Sequence, residues 1–256
     1  MIIETEKLEQ NPNSCRELNK EALALKILGQ NENALKIIEE AIKLNPNDDD
    51  TWKNKGVILH ALGQDKDALV STEKALEMNP NNIRALVNKA TFIVILDITE
   101  RHKEALESID KAIKLDPDNA DSYNNKGGIL IRLEKNEEDA IKCLDKAIEI
   151  NPNYAAAWNN KGVAIHGIFR KGVHKTSLID EAIKCCKKAV VIDPDYDDAW
   201  YNLACLYSHK NDKENVIFNF KKAIEINNSF KEKAEEDIHF RYIWNDKDFK
   251  ELVDKF

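Results

Sequence analysis

Residues 52–80, WKNKGVILHALGQDKDALVSTEKALEMNP, decide the fold. A bulky anchor, Trp52, is followed four residues later by Gly56. Gly63 then interrupts an otherwise helical stretch, and Ala68 and Ala75 sit on a second helical pattern that ends at Asn79-Pro80-Asn81. Proline cannot continue a helix and biases its predecessor away from helical angles. Gly63, eleven residues after the anchor, reads as a left-handed cap on the first helix. The stretch therefore reads as one helix–turn–helix unit closed by a proline turn.

Working outward, the same phrase recurs. The six prolines stand at 12, 46, 80, 117, 152 and 194, in steps of 34, 34, 37, 35 and 42, each inside Asn-Pro-Asn or Asp-Pro-Asp. One further step of 34 reaches Asn228, where Asn227-Asn228-Ser229 replaces the proline turn. The Asn or Asp after each proline is expected to cap the next helix. Trp52 and Trp200 lie 28 residues before Pro80 and Asn228, and Leu18, Leu86, Tyr123 and Trp158 hold the anchor position elsewhere. Gly56, Gly127 and Gly162 share one phase mid-helix, where each costs about 1 kcal/mol against alanine. Such placement predicts neighbouring helices too close for a side chain. Gly29, like Gly63, reads as a cap. The second helix shows i, i+3, i+4, i+7 spacing in Ala34, Ile37, Ile38, Ala41 and Ile42.

Anchor, small residue, two alanines and terminal proline together resemble the tetratricopeptide repeat. The resemblance implies an all-α, right-handed superhelical solenoid of about six repeats: 15–48, 49–82, 83–119, 120–154, 155–196 and 197–228. Residues 1–14 are expected to form an N-terminal half-repeat and 229–256 to form C-terminal capping helices. A repeat stack leaves an apolar end that a modified terminal unit covers, and Phe240, Ile243, Trp244, Phe249 and Leu252 are the expected inner face. Insertions fall in the third unit near Asp97 to His102 and in the fifth near Phe169 to Asp180. The latter carries Arg170, Lys171, His174 and Lys175 and reads either as a longer helix pair with a solvated tip or as a local basic cluster that meets an acidic partner or a neighbouring copy.

Composition narrows the function classes. A third of the residues are charged (33%), aromatics make up 7%, and mean hydropathy is -0.54, which suits an elongated helical protein. The net charge of -8 argues against a nucleic-acid partner, which calls for a basic stripe. No apolar run approaches the length of a membrane span, and no secretory leader is legible. Five cysteines, two of them adjacent, make no bridge framework or zinc spacing and read as reduced, mostly buried thiols of a cytoplasmic protein.

No catalytic constellation is visible, no cofactor is expected, and the six histidines match no metal motif. His60 and His166 share a phase but stand three repeats apart, and read as groove-lining or surface residues. Residues 167–172 have the glycine spacing of a phosphate loop but lack its Lys and Ser/Thr. Asp48-Asp49-Asp50 reads as a helix start with favourable dipole charge.

What rises above this background is an asparagine ladder: Asn54, Asn88, Asn125, Asn160 and Asn202, each two residues after an anchor. In the family it resembles, this phase faces the concave groove, so the resemblance implies amides placed to pair with the main chain of an extended peptide. The other reading is that they tie one repeat to the next. Lys55, Lys89, Lys126 and Lys161 follow one residue later and read as solvated stems over apolar surface. Some family members grip a partner's C-terminal carboxylate with Lys, Asn and Arg. Lys53 and Arg84 fit that clamp, but Val57 stands where its first Asn would be, and Asp121 and Asn125 replace the basic pair of the fourth unit. The expectation is a non-catalytic scaffold holding an extended or helical protein segment, with no nucleic acid or membrane partner. Its alternative is a self-associating, homo-oligomeric subunit of a larger assembly.

Overall fold

The computed structural model describes residues 12–253, except 134, 135 and 174. Residues 1–11 of the expected half-repeat, and His174, lie outside the described residues. Residues 12–14, expected to end that half-repeat, instead open the first described helix, with Pro12 at its first position, where the missing N–H costs no hydrogen bond. The chain divides into two compact units, 1–118 and 119–256, and no strand occurs among the described residues.

The first unit holds three helix pairs: α1 (Pro12–Ile27) with α2 (Asn31–Leu44), α3 (Asp49–Ala61) with α4 (Asp65–Met78), and α5 (Ile83–Ile95) with α6 (His102–Leu115). The second unit holds three more: α7 (Ala120–Arg132) with α8 (Glu137–Ile150), α9 (Ala155–Arg170) with α10 (Thr176–Ile192), and α11 (Asp197–Ser208) with α12 (Lys213–Ile226). The short helices α13 (Phe230–Glu236) and α14 (Lys247–Val253) follow, with a 3-10 turn, Ile238–Phe240, between them. Within each unit the helices of a pair pack on one another, and each second helix packs on the first helix of the next pair.

The turn chemistry differs in one respect from the sequence expectation. The Asn or Asp before each of the last five prolines is the working residue: Asn45, Asn79, Asp116, Asn151 and Asp193 each accept the backbone N–H two residues on, at 3.1–3.3 Å. Asn227 does the same without a proline, at 3.1 Å. The helix cap is then the second residue after the proline, not the first. Asp48, Asn82 and Asn119 accept from Thr51, Ala85 and Ser122 at 2.9–3.0 Å, because the Asx turn consumes the intervening residue. The anchor tryptophans close the motif, with Trp52, Trp158 and Trp200 Nε1 donating to the carbonyls of Pro46, Pro152 and Pro194 at 2.8–3.0 Å.

The phased glycines mark true close approaches. A Cβ at Gly56 would stand 2.6 Å from Thr72 Oγ1 and 3.0 Å from the Ala68 carbonyl oxygen; at Gly162 it would stand 2.6 Å from Cys186 Sγ, and at Gly127 2.6 Å from the Leu144 side chain. Gly29 and Gly63 take φ of +74° and +73°, as caps require. Both insertions are absorbed locally. In the third repeat Asp97 takes φ +50° and a 3-10 turn, Thr99–Arg101, precedes α6. In the fifth, both helices lengthen, to 16 and 17 residues, against 13 and 14 for α3 and α4.

At the end of the second unit Phe240, Ile243 and Phe249 are buried with Phe220 of α12, while Trp244 and Leu252 pack partly buried against the same core. Of the five cysteines, Cys15, Cys185, Cys186 and Cys205 are buried, and none forms a disulfide. Burial pushes the Cys185 thiol up to about 11. No described helix is long and apolar enough to cross a membrane.

Gly56→Ala should lower the urea midpoint, by about 1–3 kcal/mol in stability, because a backbone carbonyl bounds the space. Gly128→Ala is the contrast: its Cβ would meet only Asn160 Nδ2, at 4.0 Å, so it should be neutral or stabilise by up to about 1 kcal/mol.

A second expectation concerns acid. Hydrogen bonds from Arg101 and then Lys89 hold the Glu104 carboxyl down from its ordinary 4.5 to about 2. A depressed folded value stabilises above the unfolded value and is lost as pH falls through the folded one. Glu104→Gln should therefore flatten the loss of stability between pH 4.5 and about 2, read from urea midpoints across that range.

Candidate functional site

The asparagine ladder lies where successive first helices meet, and three of its five members are engaged there. Asn54 of α3 donates to Asn19 Oδ1 of α1 at 2.7 Å. Asn160 of α9 donates to Asn124 Oδ1 of α7 at 3.0 Å, and Asn202 of α11 to Asn159 Oδ1 of α9 at 2.9 Å. The acceptor is always the residue one after the anchor of the preceding repeat. Asn124 and Asn159 in turn donate to the hydroxyls of Tyr154 and Tyr196 at 3.5 Å, so each amide both gives and receives.

The other two members make no such bond among the described residues. The residue one after the anchor before Asn88 is Lys53, and an ammonium accepts nothing. Asn125 turns back to the Asp121 carbonyl of its own helix at 2.7 Å. No hydrogen bond to the Asn88 side chain is found among the described residues, and both asparagines are half-buried.

The recurring lysines also differ from their expected role as solvated stems. Lys55 pairs with Glu39 of α2 at 2.8 Å, Lys161 with Asp145 of α8 at 2.6 Å, and Lys89 with Glu104 of α6 at 2.6 Å. Lys89 and Arg101 also share Glu73 of α4. Lys55 and Lys161 thus tie a first helix to the second helix before it, as Lys89 does through Glu73. Of the two clamp candidates, Lys53 is buried and paired with Asp50 at 2.5 Å. That bond holds the Asp50 carboxyl below its ordinary value. Arg84 is exposed. The exposed His60 bonds Asp65 at 2.5 Å and lies 5.2 Å from the Phe92 ring.

Four matches to tetratricopeptide repeat models cover 18–48 and 94–119, 50–82, 109–142 and 185–215, and 131–167. The chain belongs to the tetratricopeptide repeat family. No curated protein sequence matches it. Solved structures share the fold. Pseudomonas aeruginosa PilF is 16% identical with a TM-score of 0.64, the match covering 92% of this chain and 98% of that one. Human IFIT1, in a dimer with m7Gppp-AAAA, is 16% identical with a TM-score of 0.75, covering 93% and 57%. The APC/C hetero-tetramer Cut9–Hcn1 is 14% identical with a TM-score of 0.72, covering 99% and 45%.

One feature of this repeat protein was not foreseen from the sequence, which showed no metal-ligating constellation. His166 near the end of α9, His209 just after α11, and His239 in the 3-10 turn converge, their ligand atoms within 4.8 Å of one another. His166 Nε2 lies 2.8 Å from His209 Nε2. The Asp237 carboxylate binds His239 Nδ1 at 2.5 Å and accepts from Tyr201 at 2.7 Å. A cavity of about 200 Å³ lies against this group, lined also by Arg170, Lys233 and Cys205.

Burial, with His209, His239 and Arg170 nearby, lowers His166 to about 3, and burial lowers His209 too. Burial alone would raise Asp237, but the His239 and Tyr201 hydrogen bonds outweigh it and hold the carboxyl well below its usual range. Burial, with Asp237 beside it, pushes the Cys205 thiol far up, so it is no thiolate nucleophile. Spacings of 43 and 30 residues conceal the trio from any local motif. The available signal was the near-identical phase of His166 and His209 in adjacent repeats.

Asn202→Ala should cost about 1–3 kcal/mol, because it strips the main donor from the buried Asn159 carbonyl, whereas Asn88→Ala should change stability by less than about 0.5 kcal/mol. Thermal melts of the two variants against the parent check the contrast.

Proposed function

We propose that this tetratricopeptide repeat protein is a non-catalytic interaction scaffold that holds an extended or helical segment of another protein against its first helices. The observation that carries the reading is the stripe those helices present within each unit. Two residues after each anchor from the second repeat on stands an amide, and five after it stand the half-buried Val57, Thr91, Gly128 and Val163 and, in the sixth repeat, the buried Cys205. Small or apolar side chains beside amides suit a main chain lying across them: its N–H and C=O groups need partners that do not depend on its side chains.

Within the ladder the roles divide. Asn54, Asn160 and Asn202 hold the helices that form the surface, through bonds of 2.7–3.0 Å. The Asn88 side chain has no hydrogen bond among the described residues and Asn125 bonds only within its own helix there, so these are the amides left to a ligand. Lys53, already paired with Asp50, suits a carboxylate clamp poorly, so recognition of an internal segment is favoured over a C-terminal tail. The net charge of -8 fits a protein or peptide partner better than nucleic acid.

The test is capture of partners from the native cell by the full chain, followed by calorimetry with the segment identified. Asn88→Ala/Asn125→Ala should weaken binding about tenfold or more, at about 0.5–1.5 kcal/mol per lost hydrogen bond, with the melt unchanged. Equal affinity in the double variant would remove the ladder from the binding surface.

A further inference from the structure

We propose that His166, His209 and His239 form a binding site for a divalent transition metal of the zinc class, which staples the C-terminal 3-10 turn to the ends of α9 and α11. This goes beyond the scaffold reading and does not depend on it.

Three imidazoles with ligand atoms within 4.8 Å of one another are a donor set that suits Zn²⁺, leaving a fourth position for water. Two ring nitrogens on a tetrahedral zinc, at Zn–N of about 2.0–2.1 Å, stand about 3.3 Å apart. His166 Nε2 and His209 Nε2 are 2.8 Å apart, so the pair needs to part by only about half an ångström to accept the ion. The third ligand is already oriented. Asp237 holds His239 through Nδ1 at 2.5 Å, which leaves Nε2 as the free donor, and its other oxygen accepts from the Tyr201 hydroxyl at 2.7 Å. A carboxylate behind a ligating imidazole, itself hydrogen-bonded, is the outer arrangement that metal-bound histidines use.

The charges around the site are mixed. Arg170 and Lys233 line the cavity with Asp237; Arg170 is exposed and free to swing toward solvent, while the Asp237 carboxylate offsets the ion's charge. The three ligands come from separate elements, α9, the residue after α11, and the 3-10 turn. Binding would therefore cross-link the last two repeats and the cap, and its free energy would appear as folding stability.

The experiment uses the untagged full chain, stripped with chelator and titrated with Zn²⁺ in a calorimeter, with melts run in parallel. The expected result is one Zn²⁺ per chain at micromolar or tighter affinity, with a rise in melting temperature. His209→Ala removes an exposed side chain and should melt like the parent without metal, yet bind Zn²⁺ at least about a hundredfold more weakly. Asp237→Asn should weaken binding about 10–100-fold, and His60→Ala should leave it unchanged. Less than one ion per chain, or equal affinity in parent and His209→Ala, would overturn the site. Intact metal binding with failed partner capture, or the reverse, separates this inference from the scaffold reading.

Discussion

Everything in this chain depends on how closely the two helices of a pair approach one another. At Gly56 and Gly162 the space a Cβ would need is already taken, by Thr72 and the Ala68 carbonyl in one case and by Cys186 and the Ala182 carbonyl in the other. Backbones so close leave no room for a side chain at these two glycines, and the alanines of the second helices, Ala68, Ala75, Ala182 and Ala189, are fully buried. The intrinsic helix cost of glycine is accepted because packing at that distance returns more than it loses. The turns follow from the same constraint. A pair held this tightly must be left and re-entered at a set angle, which the Asx–proline turn and the tryptophan bond to its carbonyl provide.

Between pairs the forces are different in kind. Polar side chains tie the joints beside an apolar core that, in the second unit, runs on from α9 through α12. Amide-to-amide bonds run between first helices, and ion pairs such as Lys55–Glu39 and Lys161–Asp145 join a first helix to the second helix before it. Repeat stacks gain stability from each unit plus its nearest-neighbour joints. The joint between Asn54 and Asn19 is therefore not matched at Asn88, where Lys53 occupies the acceptor position and turns to Asp50. A position that recurs through the sequence thus has different fates: structural glue at Asn54, Asn160 and Asn202, a bond within its own helix at Asn125, and no partner among the described residues at Asn88.

The C-terminal end solves a different problem. Phe220, Phe240 and Phe249 bury their rings together, and Tyr201 stacks on Phe230 at 4.6 Å. This closes the last pair with an aromatic plug while the histidines gather at its polar edge. Tyr201 and Asp237 belong to both, so the orientation of His239 is set by the packing of the cap.

The sequence by itself determined the helix–turn–helix unit and its phase. Proline, glycine and a bulky anchor act through the backbone within a few residues, and those effects are local enough to read in order. Gly56, Gly63 and Pro80 needed no neighbour to declare their roles. It also exposed the asparagine recurrence, since donor and acceptor chemistry is written in residue type. Only the tertiary structure decided which way those amides point, because that depends on the register between adjacent helices. It alone moved the cap from the residue after proline to the next one. It alone gathered His166, His209 and His239, whose separation along the chain is closed by stacking two repeats and folding a cap over them. Local preferences are carried by each residue, whereas convergence is a property of the packing.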